Sequence, residues 1–408
     1  MRSSRPTSAP AHRRPRGRRA EIVAAAVAAF ARDGYHGTSM AGIAAEVGIS
    51  SAALYRHFRS KQDLLGHCLR DGLDTTLARV NAADTGADTA GRHVLFELVR
   101  VAVELRGLPR LWQVEFRNLT PADRQAVLVR AVRLIHRIRG AIRPCRPDLA
   151  EADVELLAWC ILSVVVSPSY HRVDLPQAVF AELLDTAVAA VVATDLPRRD
   201  AAPQRRAPQR ISVTEDEEFE RELRPERMIV AAARLFNTRG FAAVGIEDIG
   251  AAVGVSGPAL YHHFDSKAAL LDEIIDRNDQ WIRLYTSRAL ATSSNPRQAL
   301  TTLLTYFARF AIDEPDLLGT TVSEVDHLPA ESATRYRRAH REGILRWARM
   351  LQTARPQLSL PTARVLIQAV SIMVIDAARN PRLSRRGDIV PALVAIGDSI
   401  AFTTSRTV

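Results

Sequence analysis

Cysteine is scarce in this sequence: Cys68, Cys145 and Cys160 are the three in 408 residues, far apart along the chain. Without paired spacing they form neither a disulfide framework nor a zinc site. Aromatic residues reach only 6%, and the prevalence of alanine, leucine and arginine favours helix over sheet. No apolar h-region follows the N-terminus, which argues against a secretory signal. The most apolar run, Val154 to Val166, is interrupted by Glu155 and Ser163. It reads as too short to span a bilayer, so the expectation is a soluble, cytoplasmic protein with no membrane partner. Also missing are a glycine-rich phosphate loop, a metal-ligand cluster and a nucleophile elbow. Lone pairs such as Glu115 with His136 have no supporting context. No enzyme, no cofactor and no metal are expected.

What is present begins with charge. The formal net charge is +10, and Met1 to Arg19 carry seven arginines and no acid. Such an arm suits a phosphate backbone or a minor groove. A solvated tail that only aids solubility is the competing reading. Three prolines and the lack of an amphipathic apolar face speak against a mitochondrial-type presequence. With 47% hydrophobic residues, the chain can build two or three cores of ordinary size.

An internal repeat organises the chain. Phe30 matches Phe236, an offset of 236 − 30 = 206, and the offset holds without a gap. Gly34, Ile43, Val47, Gly48 and Ser50 recur as Gly240, Ile249, Val253, Gly254 and Ser256. Leu54, Tyr55, His57, Phe58, Ser60, Lys61, Leu64 and Leu65 recur as Leu260, Tyr261, His263, Phe264, Ser266, Lys267, Leu270 and Leu271. The chain is a duplication. Leu196 to Arg210 is rich in proline and arginine, and the next residues turn acidic from Glu215 to Glu222. These read as a linker. The expected order is a basic disordered arm over 1–17, a head over 18–72, a helical body over 73–195 and a linker over 196–223. A second head over 224–278 and a second body over 279–404 follow.

In the first copy Ile22, Ala26, Ala29 and Phe30 share one helical face, and Gly34 can end that helix. Thr38 or Ser39 can cap the next helix, which shows Ile43 and Val47 on its apolar side. Gly48 then turns the chain, Ser50 caps a short helix with Ala53, Leu54 and Phe58 inward, and Ser60 caps a fourth, with Asp63 able to complete a capping box. Two short helices across a tight glycine turn make a helix-turn-helix, whose second helix enters the major groove.

These residues closely resemble the TetR/AcrR family of bacterial repressors. The matching stretches are RRAEIVAAAVAAFARDGYHGTSMAGIAAEVGISSAALYRHFRSKQDLL and RPERMIVAAARLFNTRGFAAVGIEDIGAAVGVSGPALYHHFDSKAALL. The resemblance implies an all-α fold of two tandem units, each a helix-turn-helix head followed by a helical domain for ligand and dimerisation. It also implies a regulator that binds double-stranded DNA at an operator and is released by a small-molecule effector. Ser51, Ala52 and Arg56 could reach base edges, arginine favouring guanine. Tyr55, His57, Lys61 and Thr38 should meet phosphates, as their counterparts do in the family. With the cap Ser50, these form the DNA-binding set of the first head. Ser256, Gly257, Tyr261, His262, His263 and Lys267 form that of the second.

The second head departs from the pattern. Val244 and Gly245 replace Thr38 and Ser39, Pro258 enters the first turn of the reading helix, Gly257 lacks a side chain, and His262 replaces Arg56. Different and weaker DNA reading, and hence an asymmetric operator, is expected. Adjacent His262 and His263 cannot share one helical face, so no metal is expected there.

Downstream, apolar stripes mark helices: Val94, Leu98, Val101 and Leu105, then Val127 to Ile142, Val154 to Val166 and Val179 to Val191. Leu366 to Val374 and Val394 to Ile400 close the second copy. The resemblance implies that the last two long helices of each copy form a four-helix dimer interface, as an intramolecular pseudo-dimer or between chains as a homodimer. A faint second repeat, Glu115-Phe116-Arg117-Asn118-Leu119 against Glu324-Val325-Asp326-His327-Leu328, suggests a pocket. Glu115, Arg117, Asn118, Arg130, Glu324, His327 and Arg338 are the candidate ligand residues. By analogy with acyl-CoA-sensing members, the arginines suit an acyl-CoA or another apolar, anionic ligand. A DNA-binding scaffold or a constitutive regulator without ligand response is the alternative reading.

Overall fold

The computed structural model describes residues 15–84, 90–197 and 217–403, so most of the basic arm and of the linker lie outside the described residues. Among the described residues there is no strand, as the all-α reading expects. The first head is α1 (Pro15–Gly37), α2 (Met40–Val47) and α3 (Ser51–His57), continued by α4 (Lys61–Ala82). Its body follows as α5 (Ala90–Glu104), α6 (Leu108–Glu115), α7 (Pro121–Ile142), α8 (Glu151–Val166) and α9 (Gln177–Ala193). The second head is α10 (Glu217–Arg239) and α11 (Ile246–Val253), then a 3₁₀ turn over Gly257–His262 and α12 (Lys267–Thr292). Its body is α13 (Pro296–Asp313), α14 (Pro315–Glu324), α15 (Ala330–Ala354), α16 (Leu360–Arg379), α17 (Pro381–Ser384) and α18 (Ile389–Phe402).

These helices gather into two compact units. One comprises residues up to Ala78 together with Leu105–Arg133; the other comprises Arg79–Glu104 and the chain from Leu134 onward. The first unit is thus the first head with α6 and the start of α7. In it Ile22, Ala26, Ala29 and Phe30 are all buried on α1, the stripe its 3.6-residue period lays on one face. At Gly34 the backbone turns to φ 69° and breaks the regular helix. Gly48 (φ 70°), Gly240 (φ 84°) and Gly254 (φ 78°) repeat the device at the 206-residue offset. Left-handed backbone of this kind favours glycine, which has no Cβ to clash. Four glycines thus fix the corners of both heads.

The second unit holds a four-helix bundle built from both repeats: α8 packs against α16, and α9 against α18. Val154, Leu157, Ile161 and Val164 of α8 are buried, as are Leu366, Ala369, Met373 and Val374 of α16. A helix apolar all round must be covered all round, and here the other repeat covers it. The Arg386 guanidinium, before α18, closes the seam. It donates to the carboxylates of Asp153 (2.7 Å) and Asp388 (2.9 Å) and to the carbonyl of Ala152 (2.6 Å), at the start of α8. Only 8% of its side chain is exposed.

Glu151–Tyr170 and Leu360–Arg379 are each long and apolar enough to cross a membrane, which corrects the reading of the first as too short. The added length comes from a 3₁₀ turn, Ser167–Tyr170, that prolongs α8. Both are 72% buried within the protein. Burial also governs the thiols: Cys68 and Cys160 are buried, and desolvation pushes each up to about 12, while Cys145 is exposed. Only a thiolate attacks readily, so at about pH 8 a thiol reagent should label one cysteine per folded chain and all three after unfolding. Peptide mass spectrometry checks this; label on Cys160 without denaturant would mean that the bundle opens.

Candidate nucleic-acid interface

Local chemistry builds the reading helix of the first head. Ser39 caps α2, accepting from Gly42 N–H (3.0 Å), and Ser50 caps α3, accepting from Ala53 N–H (3.2 Å). Ser60 accepts from Asp63 N–H (3.0 Å), and the Asp63 carboxylate reaches back to Arg59 N–H (3.0 Å), a capping pair at the start of α4. Leu54 and Phe58 are buried beneath α3. On its outer side Ala52, Tyr55 and Arg56 are exposed together, with Ser50 beside them and Ser51 and His57 half-buried. Tyr55, at 52% exposure, is free for a phosphate.

Two expected phosphate ligands point inward instead. Thr38 is 4% exposed, and its hydroxyl donates to Gly34 O (2.7 Å). Lys61 Nζ donates to the carbonyls of Tyr35 (2.6 Å) and Thr38 (2.8 Å) and lies 4.3 Å from the Tyr35 ring centre. Desolvation holds this ammonium below the ordinary lysine value. In the second head Lys267 Nζ repeats the clip on Phe241 O (2.9 Å) and Val244 O (2.8 Å). Both lysines therefore brace the corner between the first two helices.

The same corner is held from the other side by the supposed ligand residues. Glu115, at the end of α6, accepts from Tyr35 N–H (2.9 Å) and from the Asn118 amide (2.6 Å). Glu324, at the end of α14 and fully buried, accepts from Phe241 N–H (3.0 Å). His327 stacks on Phe241 at 5.2 Å, with its Nε2 3.7 Å from Glu324. The faint second repeat is thus a duplicated clasp between body and head. Arg130 forks onto Asp74 (2.8 and 2.9 Å), and Arg338 pairs with Glu342 (2.9 Å). Arg117 lies half-buried on the 3₁₀ turn Phe116–Asn118. Six of these seven residues are engaged in clasps and ion pairs within the folded chain.

A cavity does exist, elsewhere: about 70 Å³ in the second body, between α12, α13, α14, α15 and α16. Asn278, Tyr336, His340 and Trp347 line it, and none had a local sequence signal. Five separate helices bring them together.

The second head differs in shape and charge. Its reading segment is a 3₁₀ turn whose N-cap, Ser256, makes no side-chain bond. Gly257 is buried there, its N–H donating to the Glu247 carboxylate (3.1 Å), and a Cβ would meet that carboxylate at 2.4 Å. A side chain at position 257 would therefore displace Glu247. Tyr261, His262 and His263 remain exposed. A 3₁₀ turn advances about 3.0 residues per turn rather than 3.6, so its side chains fan out differently. Across 38–61 the first head carries Arg56, Arg59 and Lys61 against Glu46. Across 244–267 the second carries Lys267 against Glu247, Asp248 and Asp265. Within this segment the second head carries more acid than base, with Asp248 paired to Arg239 (2.9 Å).

A reading segment on a glycine corner, an α-helix in the first head and a 3₁₀ turn in the second, defines a helix-turn-helix transcriptional regulator. The sequence profile of the bacterial regulatory proteins of the tetR family matches residues 22–68 and again 228–274. An uncharacterized HTH-type transcriptional regulator of Mycobacterium tuberculosis is 31% identical over 172 residues, covering 41% of this chain and 73% of that protein. The chain belongs to the tetR family of bacterial regulatory proteins. Two shorter matches come from Mycolicibacterium smegmatis. The HTH-type transcriptional repressor KstR2 is 39% identical over 80 residues, covering 20% of this chain and 39% of that protein. The HTH-type transcriptional activator FasR is 33% identical over 90 residues, covering 22% and 41%.

Proposed function

We propose that this regulator works in the cytoplasm as an intramolecular pseudo-dimer, one chain seating two unequal heads on one operator and leaving it when a small molecule binds. The observation that carries the reading is the bundle of α8 and α9 with α16 and α18, in which one repeat covers the apolar face of the other. Apolar faces already buried within a chain leave a second chain little to cover. The first head supplies most of the affinity through Tyr55, Arg56 and His57, with Ser50, Ser51 and Ala52 framing the base edges. The second adds Ser256, Tyr261, His262 and His263 on a surface short of cations, so the operator is asymmetric. Repression is the simpler sign of control, since a bound protein need only occlude the promoter; KstR2 carries the name repressor and FasR activator. The cavity in the second body favours an effector-released regulator over a scaffold without ligand response.

Footprinting on the DNA flanking its own gene, with chains counted per protected site, tests the reading. One chain on one imperfect two-half site is expected, with protection that weakens steeply as salt rises. Two chains on a symmetric site would replace the pseudo-dimer by a homodimer. An absence of salt-sensitive protection on any genomic fragment would remove operator binding altogether.

A further inference from the structure

Resting on the effector-released reading, we propose that the cavity of the second body takes a compact, uncharged, largely apolar molecule whose hydroxyl donates to Asn278 Oδ1. The wall is aromatic at Phe307, Tyr336 and Trp347, and no arginine or lysine lines it. The one imidazole of the lining, His340, is exposed to solvent. Asp279, the one acid on the wall, pairs with Arg283 (3.1 Å), a residue outside the lining. An anionic head group would therefore be buried beside a carboxylate without a counter-charge. That sets the expected acyl-CoA aside for this cavity.

Three of the neighbouring polar groups are bonded within the protein. Trp347 Nε1 donates to Thr286 Oγ1 (3.0 Å), Thr321 Oγ1 to Leu317 O (2.9 Å) and Ser371 Oγ to Ile367 O (2.8 Å). Asn278 differs from these three. It is 2% exposed, it lines the cavity, and its Oδ1 has no hydrogen-bond partner. A buried acceptor without a donor is rare and costly, and a ligand O–H relieves it. Size sets the other limit. An apolar cavity of roughly 150 Å³ holds benzene, so filling this one displaces a wall. Helix α14 lends Leu318, Thr321 and Val322 to that wall and ends at Glu324, which clasps Phe241 in the head. A ring entering the cavity thus pushes on the helix that anchors the second head.

Phenol, toluene and benzoate, each added to the full-length protein, test the proposal. Binding is read without DNA as a shift in Tm and as a Kd, and operator release is read separately. Phenol should bind about tenfold more tightly than toluene, and benzoate should leave Tm unchanged. Asn278→Leu should keep toluene and erase the preference for phenol; Asn278→Ala serves if the leucine variant does not fold. Tighter binding of benzoate, an unchanged preference in both variants, or no binding of phenol and toluene would each overturn the proposal. Phenol that binds with the expected preference yet leaves operator affinity unchanged would uphold the cavity chemistry and overturn the effector-released reading instead.

Discussion

Arg386→Ala should destabilise the protein by about 3–5 kcal/mol, the cost of leaving buried charge without its partner. The guanidinium sits between Asp153 and Asp388, whose side chains are 17% and 11% exposed. Truncation strands both carboxylates in the seam between α8 and α18. Exposed pairs nearby carry far less: Arg382, 3.6 Å from Glu155 but 79% exposed, should cost under about 1 kcal/mol when replaced by alanine. Replacing Arg386, Asp153 and Asp388 together by apolar residues should recover most of the loss. Urea denaturation of the three variants gives the comparison. If Arg386→Ala and Arg382→Ala prove equally mild, the ion pair does not hold the repeats together.

On DNA the largest single effect is expected at Arg56. Arg56→Ala should weaken operator binding by about 1–3 kcal/mol, roughly 5- to 150-fold in Kd, and relax the preference at one base pair. Its counterpart His262 sits on a 3₁₀ turn in an acidic neighbourhood, so His262→Ala should change Kd by less than about threefold. Titrations at one fixed salt concentration, on the operator and on a variant with that base pair changed, separate the two. Equal losses would mean that the heads read DNA alike despite their opposite charge balance. A uniform loss on both DNAs would make Arg56 a phosphate contact.

The heads were legible in the sequence because their signals are local. Gly34, Gly48, Ser39 and Ser50 each act within four residues of themselves, and a second copy at a fixed offset removes coincidence. Three features were not legible, for physical reasons. The Lys61 ammonium bonds carbonyls 26 and 23 residues away, and no spacing rule distinguishes such a clip from a phosphate ligand. Glu115 and Glu324 suggested a pocket because they open a faint second repeat; their partners are backbone N–H groups 80 and 83 residues distant. Gly257-Pro258 signalled a helix start, yet with Glu247 drawn onto Gly257 N–H the segment tightens to 3₁₀. The cavity had no signal at all, because its lining is assembled from five helices.

The covalent joining of α8 and α9 to α16 and α18 changes how the protein counts its own copies. Two separate subunits must meet before either can hold a palindrome, so occupancy at low abundance climbs with the square of concentration and a threshold appears. In the proposed pseudo-dimer the meeting is settled during folding. Occupancy would then rise in proportion to the number of molecules, and a cell with a handful of them would keep graded control. Under the same proposal a defective allele would have no wild-type partner to poison, and either head could drift in sequence without dragging the other along.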